Sequence, residues 1–166
     1  MDAHARLTLE SHLRALRFYQ EELSKVEEQV HQIARQHEKI LACLQSVPGV
    51  GEVVATTFML ELFDPGRFHR AEEVTSYLGL APMVRHSGEQ TPSGRLRKVG
   101  QNRLRSLLIE AAWMWRQHDH YARDLYHRFL ERMGIAQKAI TAVTRKLAVI
   151  LWSLYVERRV YRPAVV

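Results

Sequence analysis

A chain of 166 residues, 46% apolar and 8% aromatic, can bury one core and is not disordered. Its 24 Lys and Arg against 18 Asp and Glu leave a net charge of +6, which favours an anionic partner, nucleic acid ahead of a membrane surface. The single cysteine, Cys43, excludes an internal disulfide or a cysteine zinc site, and with no apolar signal region and no apolar run near about 18 residues a reducing cytoplasm is expected.

Residues from about Ala5 to Gln45 read as one long helix, since no Gly or Pro precedes Pro48. Leu9, His12, Leu16, Tyr19, Leu23, Val26, Val30, Ile33, His37, Ile40 and Leu44 recur at alternating spacings of three and four, the seam of a coiled coil. Leu13, Ala34 and Leu41 widen that stripe, and a parallel dimer would set Glu22 against the partner's Glu27. An antiparallel partner or a packed hairpin is therefore expected over a parallel zipper. Residues 1–45 read as an oligomerisation helix and residues 46–166 as a compact helical domain.

At Leu44 the pattern changes. In LQSVPGVGEVVA, the residues Leu44, Val47, Pro48, Gly49, Val50, Gly51 and Ala55 stand as in a helix-hairpin-helix motif. Pro48 ends a helix. Gly49 and Gly51 permit a tight turn and close approach of a ligand to the backbone, and the free amides opening the next helix suit a phosphate. Glu52 would repel that phosphate while suiting a helix N-terminus. A helix–helix corner that binds nothing fits the same residues.

The next helix is expected to run to about Phe63, stopped by Asp64-Pro65-Gly66, and a short one from Ala71 to Leu78, capped by Gly79. From Leu78 to Arg105 the chain is polar and punctuated by Gly and Pro, far longer than an ordinary connection of about 2–6 residues. It carries Ser87-Gly88, Ser93-Gly94 and the cations Arg85, Arg95, Arg97, Lys98, Arg103 and Arg105. A hydroxyl beside guanidinium groups is what chemistry on a phosphate needs, and a plain surface loop has the same composition. Met83–His86 and Arg95–Lys98 are placed to pair as a small β-hairpin.

Helical periodicity resumes at Asn102, with Leu104, Leu107, Leu108, Ala111, Ala112 and Trp115 on one face. A further helix spans about Tyr121 to Met133, closed by Gly134. A last one, about Gln137 to Arg158, turns Ile140, Val143, Leu147, Ile150, Leu151 and Leu154 inward. Trp113, Trp115, Tyr126 and Trp152 read as core, and the tail YRPAVV is expected to fray. The fold class is mainly α.

The order of these motifs, LQSVPGVG, Arg67-Phe68, YLGLAP, His86-Ser87-Gly88, GRLRKVGQNRLR and KAITAVTRKLA, resembles the C-terminal domain of the insertion-sequence 110, 116 and 902 group of transposases, which includes the bridge-RNA-guided recombinases. The resemblance covers about residues 44–158. It implies a DNA recombinase in which an N-terminal nuclease-like domain of RNase H fold, with a carboxylate set binding Mg2+, precedes a coiled coil and a domain supplying a serine nucleophile. On the family's pattern that serine is Ser87, while Ser93 opens the basic GRLRK segment.

A serine attacking a phosphodiester forms a covalent protein–DNA intermediate and needs cations for the developing charge, a role open to Arg85, Arg95, Lys98 and Arg105. His86, adjacent in an extended segment, would point away from Ser87. The chain starts at its coiled coil and has no acidic cluster of its own. The nuclease-like domain is thus expected in cis or in trans, no metal site is expected within this chain, and the chain alone is expected to be inert. A non-catalytic nucleic-acid-binding module, using Gly49, Gly51 and the Arg95–Arg105 cluster, and an assembly factor built on the coiled coil are the competing expectations. The partners implied are DNA, a guide RNA in the bridge-RNA type, and further copies of the chain, with no membrane.

Overall fold

The computed structural model describes residues 3–81 and 101–163. Among them the elements are α1 (Ala3–Gln36), α2 (Glu38–Gln45), α3 (Glu52–Leu62), a 3-10 turn (Pro65–Arg67), α4 (Ala71–Tyr77), α5 (Asn102–His118), α6 (His120–Met133) and α7 (Ala136–Glu157). The fold is mainly α, with no strand among the described residues. The expected Met83–His86 and Arg95–Lys98 hairpin lies outside them. The chain forms two compact units, residues 1–38 and 39–166.

The first unit is α1. Its 34 residues extend for about 50 Å at 1.5 Å per residue. Leu9, Leu16, Tyr19, Leu23 and Val26 of the 3-4 seam stand 48–69% exposed. Exposed pairs along the helix, Arg6 with Glu10 at 3.0 Å and Lys25 with Glu22 at 2.5 Å, add little stability. The helix expected to continue to Gln45 is interrupted at His37, whose N–H donates to the Ala34 carbonyl at 3.0 Å. That i→i−3 bond tightens the last turn and ends α1. It involves no Gly or Pro, so composition carried no trace of it.

In the second unit α5, α6 and α7 pack on one another, α3 lies on α5 and α4 on α7. Leu41, Cys43 and Leu44 of α2 are buried there. α7 supplies the middle of the core: Ile140, Val143, Leu147, Leu151 and Leu154 are buried, and Ile150 is half-buried. By length and composition α7 could cross a membrane; here those side chains meet α5 and α6. Trp115 and Tyr126 are core, while Trp113 and Trp152 are half-buried. Trp152 Nε1 donates to the Pro65 carbonyl at 2.9 Å and Tyr155 Oη to the Phe63 carbonyl at 3.4 Å, which fixes the turn after α3 against α7.

The α5–α6 junction is a single residue. Asp119 is 4% exposed, ends α5 with extended backbone and caps α6, its Oδ1 accepting the Ala122 N–H at 3.0 Å. Gly134, at φ 66°, closes α6. The tail does not fray at once as expected: the Tyr161 ring sits edge-on to Trp115 at 6.1 Å and its N–H donates to Ser46 Oγ at 2.7 Å. Burial, reinforced by the Asp119 carboxylate, holds the Tyr161 hydroxyl well above the ordinary phenol range.

Replacing Asp119 by Ala removes the α6 cap and is expected to cost about 1–2 kcal/mol in urea unfolding. Asp119→Asn keeps an acceptor oxygen and should lose less than half as much; equal losses would show that the cap bond is not the source of the stability.

Candidate nucleic-acid interface

In sequence the long polar stretch follows directly on α4, whose end lies within the described residues. Helical bonding stops there because Gly79 turns left-handed at φ 67°. The Gly79 N–H reaches the Ser76 carbonyl at 3.0 Å, and the Leu80 and Ala81 N–H groups share the Thr75 carbonyl at 2.8 and 3.1 Å. Leu78 and Leu80 are fully buried beside this turn.

The carbonyls of Gly79 and Leu80 point away from any helix ladder, and both are taken by arginines from other helices. Arg105 Nη1, on α5, donates to Gly79 O at 3.2 Å. Arg145, on α7, donates from Nε at 2.9 Å and Nη2 at 2.8 Å to Leu80 O. Arg105 Nη2 also donates to Asn102 Oδ1 in the first turn of α5. The exit from α4 and the entry to α5, the two ends of the polar stretch, are therefore joined through Arg105. Arg145 is half-buried, and burial lowers its pKa from the ordinary guanidinium value, though it remains a cation at neutral pH.

Of the sequence-derived site residues, Ser87, Arg85, Arg95, Arg97 and Lys98 lie outside the described residues. Arg103 is exposed on the first turn of α5, and Arg105 is half-buried at the turn just described. Arg145 was absent from the sequence-derived set. It stands within the KAITAVTRKLA segment, a cation inside the apolar run of α7 flanked by the buried Val143, Thr144, Leu147 and Ala148.

The helix-hairpin-helix candidate separates its two glycines. Gly49 has φ 85°, and a Cβ there would meet Met114 Cβ at 2.6 Å, Trp115 N at 2.8 Å and Ala111 O at 2.9 Å. Packing on α5 alone thus demands that glycine. Gly51 is different: it is the extended N-cap residue of α3, with φ −81° and ψ 177°, and a Cβ there would meet nothing within 4 Å. Neither conformation nor packing requires Gly51. Among the described residues no group of three His, Cys, Asp or Glu side chains is placed to hold a metal ion.

The sequence profile described as Transposase IS116/IS110/IS902 family matches residues 41–127, just over half of the chain. The transposase of insertion sequence element IS1111A from Coxiella burnetii is 30% identical over 146 residues, 86% of this chain and 40% of that protein. A protein named as a probable family 20 transposase from Pseudomonas aeruginosa is 29% identical over 159 residues, 89% of this chain and 46% of that one. A 44.8 kDa protein of insertion element IS116 from Streptomyces clavuligerus is 26% identical over 121 residues, 73% of this chain and 30% of that one. The chain spans less than half the length of each.

Gly49→Ala is expected to cost about 2–4 kcal/mol by chemical denaturation, combining a left-handed backbone with a clash against the α5 backbone. Gly51→Ala should stay within about 1 kcal/mol of the unsubstituted chain; a larger loss would give Gly51 a structural role.

Proposed function

The chain belongs to the IS116/IS110/IS902 transposase family, and from that premise we propose that it is the serine-bearing part of a DNA transposase, with Ser87 as the nucleophile. The observation that carries this reading is the family match across residues 41–127, a range that includes the Gly49–Gly51 turn, the Gly79–Leu80 turn, Ser87 and the basic segment. The described geometry supports it by fixing both ends of the stretch that holds Ser87: Arg145 grips Leu80, and Arg105 links Gly79 to Asn102.

In the proposed reaction Ser87 Oγ attacks the phosphorus of a DNA phosphodiester. An O–P bond to serine forms, the bond to one deoxyribose oxygen breaks, and the serine proton leaves to a base as the DNA hydroxyl is released. The phosphodiester count is conserved, so attack by a second DNA hydroxyl rejoins strands without another energy source. Arg85, Arg95, Arg97, Lys98 and Arg103 supply positive charge for backbone phosphates and for the developing oxyanion.

The Mg2+ that the family resemblance implies belongs to carboxylates of a nuclease-like domain, proposed to act in cis or in trans; the described side chains of this chain do not form such a set. The step above is accordingly written without it. Use of a guide RNA, as in the bridge-RNA type, is part of the same proposal.

Two further elements fit this reading. The exposed 3-4 seam of α1 matches association with further copies of the chain, since Leu9, Leu16, Leu23 and Val26 would otherwise stay in water. The opening of α3 favours a second, non-catalytic reading as a DNA-binding module, because Gly51 is glycine where neither backbone nor packing needs it.

Combined with a family nuclease-like domain and element-end DNA, the chain is expected to give a covalent protein–DNA adduct on a denaturing gel, and Ser87→Ala should abolish it. An adduct that persists in Ser87→Ala removes Ser87 from the chemistry; DNA binding without any adduct in the unsubstituted chain supports the non-catalytic reading. Charged residues at Leu23 and Val30 should lower the mass seen by light scattering, and an unchanged mass would refute the seam.

A further inference from the structure

The Arg145 guanidinium is bound in an unusual way for a half-buried cation. Both of its observed bonds go to one neutral oxygen, that of Leu80. Taking a guanidinium out of water is costly unless an opposite charge compensates it. Arg145 has no ion pair with a carboxylate among the described residues, and burial is the sole influence moving its pKa. A neutral donor would satisfy one carbonyl without that cost. Arginine has five N–H donors, and Arg145 gives one from Nε and one from Nη2 to Leu80, leaving Nη1 without a described acceptor. Two more cations stand close in the fold or on the same helix face. Arg105 holds the adjacent Gly79 carbonyl, and Lys138 lies two turns earlier on α7 at the i, i+7 position, exposed.

We infer that Arg145 contacts a DNA backbone phosphate, gripping Leu80 with one edge of its guanidinium while the other edge takes the phosphate. The inference rests on the reading of the chain as a DNA-acting module. It gives α7 a share in the interface, through a residue otherwise embedded in a core helix. The anchored edge fixes the direction of the free edge, so the phosphate would be read at a set distance from the end of the polar stretch rather than by a freely moving side chain.

The test is binding of the full chain to a fluorescein-labelled DNA duplex over a series of KCl concentrations. Arg145→Gln keeps an N–H for the Leu80 carbonyl and removes the charge. It is expected to weaken binding about tenfold at fixed salt and to reduce the slope of log K against log salt by about 0.9, one phosphate contact. Arg145→Lys should keep the slope. A folded Arg145→Gln protein with unchanged affinity and slope would overturn the inference while leaving DNA binding intact. If the unsubstituted chain shows no salt-dependent binding, the inference and the wider reading both fall. Should Arg145→Gln fail to fold, the Arg145 Nε–H resonance of the unsubstituted chain, followed by NMR as duplex is added, decides: a saturable shift supports the contact, and an unmoved resonance overturns it.

Discussion

Two consecutive carbonyls, those of Gly79 and Leu80, have no place in a helix ladder, and their capture by Arg105 and Arg145 ties three helices together. α4 ends at this turn, α5 begins next to it in space, and α7 supplies the longest-range bond of the three, from Arg145 to Leu80. A buried carbonyl without a donor costs about 1–3 kcal/mol, so these bonds hold the turn in one place. Arg105 reaches from the first turn of α5 to this turn, so the end of α4 and the start of α5 are held together. Each link is ordinary: a left-handed glycine stops α4, two orphan acceptors result, and two long cations reach them.

The remainder of the second unit keeps those arginines in position. α7 buries one face, with Val143, Thr144, Leu147 and Ala148 on either side of Arg145, which restrains the backbone that carries it. α5 is held from the other side, where Gly49 brings the backbone of the turn after α2 against Met114 and Trp115. Asp119 sets the angle between α5 and α6 by serving both as the end of one helix and the cap of the next. The proposed nucleophile and the proposed phosphate contacts would work only at fixed spacing, which a rigid base of this kind would supply.

Much of this was legible in the sequence, for identifiable reasons. α5 and α7 carry clean apolar faces, so their extents and inward residues follow from periodicity. α6 is closed by Gly134, a strong local signal. The break at His37 was not legible, because a single i→i−3 bond leaves no residue signature. The ordered Tyr161 was not legible either, since its contact with Trp115 joins residues far apart in sequence. At the interface, the glycine pair was visible as a motif, yet only the backbone φ of Gly49 and the crowding around it separate a packing glycine from an open one. The bond from Arg145 to Leu80 was not legible, because it joins a cation of a core helix to a carbonyl 65 residues away in sequence.

Family membership places the chain among proteins of insertion elements, and the central claim beyond it is that one serine of the polar stretch joins to DNA. The most direct measurement is mass spectrometry of the adduct formed with the nuclease-like domain and element-end DNA, after nuclease and protease digestion. A nucleotide phosphate remnant on Ser87 is the predicted result. A remnant on Ser93, or on any other residue of the chain, would contradict it.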